Sequence, residues 1–266
     1  MTSGINFVEA KVFLGTLALT QPRILALCAM LPLFNRQLLP GMLRYALCAA
    51  IGLVLVPALA PRYAVIDLDA VELVLLVAKE VFIGLVMGFL VAIPFWIFEA
   101  VGFVVDNQRG ASLGATINPA TGNDSSPLGI LFNQAFMVFF LVGGGFMLML
   151  TMLYDSFRLW DLWDWAPTLR RESVPLMLDQ LGRFLRLTLL FAAPAIISMF
   201  LAEVGLALVS RFAPQLQVFF LAMPIKSALA LLVMVLYMST LFEYAAEATG
   251  QIGSALPFLD NQWRAP

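Results

Sequence analysis

EAVGFVVDNQRGASLGATINPATGNDSSPLG, residues 99–129, is where one long apolar run breaks off and another begins. The apolar side chains stop at Val105, and Asp106, Asn107, Gln108 and Arg109 follow without interruption. A connection rich in Gly, Ser, Thr, Asn and Pro then leads through Gly110, Gly114, Pro119, Gly122 and Pro127 to the next apolar run at Leu128. Connections of about 20 residues with neither helix nor strand pattern are uncommon, and tend to be functional or disordered. This one is nearly free of charge after Arg109, which does not suit a solvated linker. It reads as a loop that lines or blocks a passage, with the rest of the chain as its scaffold.

The composition demands a greasy environment. Of 266 residues, 62% are hydrophobic and 12% charged, whereas soluble domains are about a quarter charged. The excess apolar surface must face lipid or apolar partner subunits. A net charge of -2 argues against nucleic acid. The chain has no histidine, which removes the commonest general base and the commonest metal ligand together, and no metal or other cofactor is expected. Cys28 and Cys48 lie inside apolar runs with no CxxC pair and read as small buried hydrophobes. The N-terminal MTSGINFVEAK lacks the basic region of a cleaved signal, so none is expected.

Six apolar stretches stand out, at roughly 12–34, 42–60, 71–105, 128–154, 184–212 and 216–242. About 20 such residues in a helix cross a ~30 Å hydrocarbon layer. The period-two alternation of a membrane β-barrel is absent, so the fold class is all-α and membrane-associated. Pro22, Pro32, Pro57, Pro94, Pro194 and Pro224 recur inside the runs and predict kinked helices. The third run would be about 52 Å long as one straight helix and must tilt, break near Pro94, or extend beyond the lipid. Gly84, Gly88 and the Gly143-Gly144-Gly145 triplet are read first as close-packing positions and second as hinges.

Asp155 to Arg186 is the most polar part of the chain. Trp160, Trp163 and Trp165 predict an interfacial aromatic belt. Val174, Leu178, Leu181 and Leu185, beside Asp179, Arg183 and Arg186, predict an amphipathic helix on a membrane surface or a partner. The Lys/Arg bias of six alternating spans would place the 155–183 loop in the cytoplasm and the 106–127 loop outside.

Lys79, Glu80, Glu99, Glu203 and Lys226 sit within the apolar runs. Each would cost about 2.5–3.5 kcal/mol at a bilayer centre, so they should be paired or face a cavity or a protein. Only Ala213-Pro214-Gln215 separates the last two runs, which should form an antiparallel hairpin. Glu203 lies eleven residues before Pro214 and Lys226 twelve after it, so the two are expected to be neighbours. Glu99 and Asp106 are seven apart and share a helix face. A proton relay through such carboxylates is a minor alternative. No nucleotide-binding glycine motif, nucleophile elbow or HExxH is present, and no enzyme is expected.

Asp106-Asn107-Gln108-Arg109-Gly110-Ala111-Ser112, closed by Ser126-Pro127-Leu128-Gly129, resembles the T component of the type III secretion export apparatus, the SctT/YscT/SpaR/HrcT family. Arg211 to Phe219 (RFAPQLQVF) and Pro224-Ile225-Lys226 fit the same family. The likeness runs through nearly the whole chain, and the DNQRG string is similar to the injectisome branch rather than to the homologous flagellar FliR.

The resemblance implies a non-enzymatic subunit of a helical, closed export gate, assembled with R and S subunits at the entrance of the secretion channel. It implies an R-like part over 1–180 and an S-like hairpin and tail over 181–266. Implied neighbours are the U subunit, the inner rod or needle base and membrane lipid, with unfolded secreted proteins as cargo. The implied location is the bacterial inner membrane, largely on the periplasmic side within the basal body. By resemblance the loop is the plug of the closed gate, carried by Gly110, Ala111, Ser112, Leu113, Gly114, Ala115, Thr116, Ile117, Asn118, Pro119, Gly122, Asn123, Ser125, Ser126 and Pro127. Asp106, Asn107, Gln108 and Arg109 anchor its base, with Asp106 and Arg109 as an ion pair. Lys79, Glu80, Glu99, Glu203, Arg211 and Lys226 are then buried charges at helix or subunit contacts. The rival is a stand-alone secondary transporter or ion channel built on Glu99, Glu203 and Lys226, although no internal repeat supports it. A polytopic membrane enzyme is a third and less favoured alternative.

Overall fold

A computed structural model describes residues 7–35, 38–63, 69–111, 126–164, 173–213 and 218–263. These form eight α-helices and no strand. In chain order they are α1 (Phe7–Met30), α2 (Gly41–Leu53), α3 (Val56–Tyr63), α4 (Ala70–Arg109), α5 (Pro127–Val142), α6 (Gly145–Leu159), α7 (Ser173–Phe212) and α8 (Val218–Trp263), with a 3-10 turn at Pro32–Phe34. Four helices, α1, α4, α7 and α8, are long and apolar enough to cross a membrane. The second and fourth apolar runs become bent pairs, α2 with α3 at 72° and α5 with α6 at 71°.

The bends have different causes. The first falls at Val54-Leu55, just ahead of α3, whose second residue is Pro57. The second falls at Gly143-Gly144, where Gly144 has a φ of +79° that disfavours any side chain. Gly144 therefore turns the chain, whereas Gly84 and Gly88 pack as expected, as does Gly145, where a Cβ would strike the Phe140 ring. A Cβ on Gly84 would strike the Arg23 carbonyl, and one on Gly88 would lie 3.0 Å from the Leu27 carbonyl and the Met30 Cβ. Pro22, Pro94 and Pro194 lie inside α1, α4 and α7 without ending them. The third run accordingly does not break at Pro94. At 40 residues, α4 is about 60 Å long and must tilt or reach past the hydrocarbon.

Two further expectations change. The amphipathic segment near 174–186 is not a separate surface helix. It is the first part of α7, because no strong stop signal separates it from the apolar run that follows. Trp160 is buried beneath protein instead of standing in an exposed belt. Trp163 is half-buried and packs at a tilt against Tyr63, their ring centroids 6.2 Å apart, and Trp165 lies outside the described residues.

The chain forms two compact units. One comprises 1–92, 146–174 and 251–266, and its core holds Ile24, Leu27, Ile83, Met87 and the free cysteines Cys28 and Cys48. The other comprises 93–145 and 175–250. A cluster of aromatic rings fills it. Phe95 meets Phe136 edge-on at 4.7 Å, Phe98 stacks on Phe136 at 4.7 Å, and Phe191 stacks on Tyr244 at 4.6 Å. Such pairs add roughly 0.5–1.5 kcal/mol beyond burial.

Candidate functional site

In the second unit α4 and α5 meet along a single seam. Residues three and four apart share a helix face, and Phe95, Phe98, Glu99, Gly102 and Asp106 of α4 all turn towards α5. A Cβ on Gly102 would collide with the backbone at Leu128 and Gly129. That absence of a side chain lets the α5 N-terminus come close enough for Asp106 to reach it.

The DNQRG string is a helix ending with a second task. Gly110 has a φ of +82° and donates its N–H to the Asn107 carbonyl at 3.1 Å, while Ala111 N–H reaches the Asp106 carbonyl at 3.0 Å. These paired bonds form a Schellman motif, which favours glycine at the left-handed position. The Asp106 side chain is meanwhile free to act elsewhere. It is buried, and its Oδ2 accepts from Ser126 Oγ at 2.6 Å and from the Leu128 N–H at 2.9 Å. Its Oδ1 accepts from Arg109 Nε at 2.7 Å and lies 2.6 Å from Arg109 Nη2. Ser126 caps α5 in turn, accepting from Gly129 N–H at 2.9 Å, with Pro127 at the first helical position. One carboxylate thus binds both ends of the 110–126 connection. Asn107 is exposed and Gln108 half-buried.

Of the loop residues read from the sequence, Gly110, Ala111, Ser126 and Pro127 form this base. Ser112, Leu113, Gly114, Ala115, Thr116, Ile117, Asn118, Pro119, Gly122, Asn123 and Ser125 lie outside the described residues. The expected Glu203–Lys226 neighbours do meet, Nζ to Oε2 at 3.1 Å. Glu99 accepts from Asn133 Nδ2 at 2.6 Å. The six mid-run charges are not all buried within the chain, however. Lys79 and Glu80 are, but Glu99, Glu203 and Arg211 are exposed and Lys226 is half-buried. Leu201, Val204, Leu208, Leu232 and Val235 of the same two helices are exposed as well. Among the described residues no group of three metal-ligating side chains occurs.

A family model described as "Bacterial export proteins, family 1" matches residues 14–252. The chain belongs to this family of bacterial export proteins. It is 42% identical over 234 residues to the Yop proteins translocation protein T of Yersinia pestis, covering 88% of this chain and 89% of that one. It is 33% identical over 236 residues to the surface presentation of antigens protein SpaR of Salmonella typhimurium, covering 88% and 86%. The flagellar biosynthetic protein FliR of Bacillus subtilis is more distant, at 25% over 221 residues, covering 83% and 85%. The chain is accordingly a T component of a type III secretion export apparatus, in a family of non-enzymatic membrane proteins.

Another extensive polar network among the described residues is only partly legible in the sequence. Arg23, in the middle of α1, is fully buried and forks onto Glu80 of α4, Nε to Oε2 at 2.6 Å and Nη2 to Oε1 at 2.8 Å. It also donates to Ser156 Oγ and to the Trp160 carbonyl, each at 3.1 Å, and lies 4.0 Å over the Phe157 ring. Lys79 lies 3.0 Å from Glu80 and donates to the backbone carbonyls of Asp161, Leu162 and Asp164 at 2.8–2.9 Å. Two cations and one carboxylate thereby tie α1 and α4 to the end of α6. The sequence marks Lys79 and Glu80 as charges that need partners, but it does not point to Arg23, a lone Arg inside another apolar run.

Proposed function

We propose that this export protein is a structural pore subunit of the type III secretion export gate. With R and S subunits it encloses the closed entrance of the channel for unfolded proteins, and the 110–126 loop is its plug. The observation that supports this most is the Asp106 clasp, which fixes both ends of a long, nearly uncharged connection at the junction of two membrane-length apolar elements. A strip with almost no charge would obstruct a passage without binding a passing polypeptide tightly. Residues 1–180 are the R-like part in this reading and 181–266 the S-like hairpin. The gate sits in the inner membrane with much of its mass on the periplasmic side, beside the U subunit and the needle base.

Deleting 112–124 tests the proposal. The deletion is expected to leave the complex with R and S intact while making the membrane leaky to ions and small molecules. A deleted protein that assembles and stays sealed contradicts the plug. The transporter alternative would need Glu99, Glu203 and Lys226 at one site. Glu203 and Lys226 do meet, but the hydrogen bond Glu99 makes is to Asn133.

A further inference from the structure

Glu99 carries a charge that nothing described around it balances. It lies within α4, a helix long and apolar enough to cross a membrane, and it is exposed. Its hydrogen bond among the described residues comes from the neutral amide of Asn133. The ion pairs among the described residues use Glu80, Asp106, Asp155, Asp161 and Glu203 instead. The adjoining connection, residues 112–125, contains no Lys or Arg that could reach back to it. Beside it Asn133 Oδ1 is buried and receives no hydrogen bond.

The spot is therefore net negative and presents a carboxylate without a cation. The side chains near it in sequence on the two helices, Phe103, Ile130 and Leu131, are exposed and apolar. Hydrocarbon tails offer such a spot neither donor nor cation, and a bare carboxylate among them is strongly disfavoured. A second copy docked patch to patch would bring a second carboxylate to the first. What fits is an apolar surface carrying a cation whose N–H groups can bind the exposed carboxylate, which the Asn133 amide holds in place.

We propose that Glu99 and Asn133 are the docking site for a Lys or Arg carried on an apolar helix of another export-apparatus subunit. This rests on the gate reading above. The test co-expresses the full chain with the other membrane subunits of its apparatus and measures the complex recovered. Glu99→Lys is expected to lower recovery by about tenfold or more and Glu99→Gln by a smaller factor, with the chain's own level in the membrane unchanged. In the unaltered background, a photo-crosslinking amino acid at Phe103 is expected to capture a different subunit. Suppressors of Glu99→Lys should replace a basic residue of that subunit with an acidic one. Recovery of the Glu99→Lys complex at the unaltered level overturns the inference, as does crosslinking at Phe103 to a second copy or to lipid alone. If the unaltered chain forms no complex at all, the gate reading itself fails.

Discussion

The carboxylate of Asp106 lies 2.6 Å from the hydroxyl of Ser126, twenty residues further along the chain. The contact closes the polar connection at its root. Asp106→Ala would strand the Ser126 hydroxyl, the Leu128 N–H and the Arg109 guanidinium, a loss of about 3–5 kcal/mol for a buried charge pair. Asp106→Asn keeps the shape but loses the ion pair and should cost about 1–3 kcal/mol. Ser126→Ala removes a helix cap, at about 1 kcal/mol. Limited proteolysis within 112–125, in membranes, should be fastest in Asp106→Ala, slower in Asp106→Asn and slower again in Ser126→Ala. Equal cleavage rates in all three variants and the unaltered protein would show that the clasp restrains nothing.

The fold is legible where it follows from runs and turns. Six apolar stretches correspond to six spans or bent pairs, and counting from Pro214 places Glu203 beside Lys226. The Asp106–Arg109 pair is legible because both residues lie on one helix turn. Contacts spanning long stretches of sequence are not. Arg23 meets partners 57, 133 and 137 residues away, a convergence that helix periodicity does not encode. Trp160 misleads too: it is buried, and its carbonyl is held by Arg23, 137 residues away.

That convergence makes Arg23 and Glu80 the pair whose separation should harm the protein most. Arg23→Met leaves Glu80 with Lys79 alone, and Glu80→Gln leaves Arg23 with only neutral acceptors. Either change is expected to cost about 3–5 kcal/mol, because an uncompensated charge remains buried. The double variant Arg23→Met/Glu80→Leu should cost less than the sum of its parts, since the charges leave together. Steady-state protein level and thermal aggregation in detergent would reveal this. Strict additivity would mean that the two do not act as a unit.

Glycines on packed and open faces should respond in opposite ways. Gly102→Ala forces a methyl group into the backbone at Leu128 and Gly129, so α4 and α5 must separate and the Asp106 clasp must loosen. A loss of roughly 1–3 kcal/mol is expected from such overpacking. A methyl group on Gly205, in α7, would meet no atom within 4 Å, and Gly205→Ala should stabilise the helix by up to about 1 kcal/mol. Thermal midpoints of the two purified variants should shift in opposite directions. A fall for Gly205→Ala would contradict the open face.

Glu203 and Lys226 offer a way to ask whether the hairpin surface is covered. The Glu203 side chain is 53% exposed in the single chain, so solvent or detergent headgroups can compete with Lys226 for it. A double-mutant cycle with Glu203→Gln and Lys226→Met in the detergent-solubilised chain should give a coupling of only about 0.2–1 kcal/mol. In the proposed gate, a neighbouring subunit over the same face would exclude water and strengthen the attraction. The same cycle read from complex recovery should then give a larger coupling. The exchanged pair, Glu203→Lys with Lys226→Glu, separates intrachain pairing from recognition by a neighbour. It should restore the stability of the chain alone while leaving recovery of the complex below the unaltered level. Full recovery would mean that the neighbouring surface is indifferent to which side bears the negative charge.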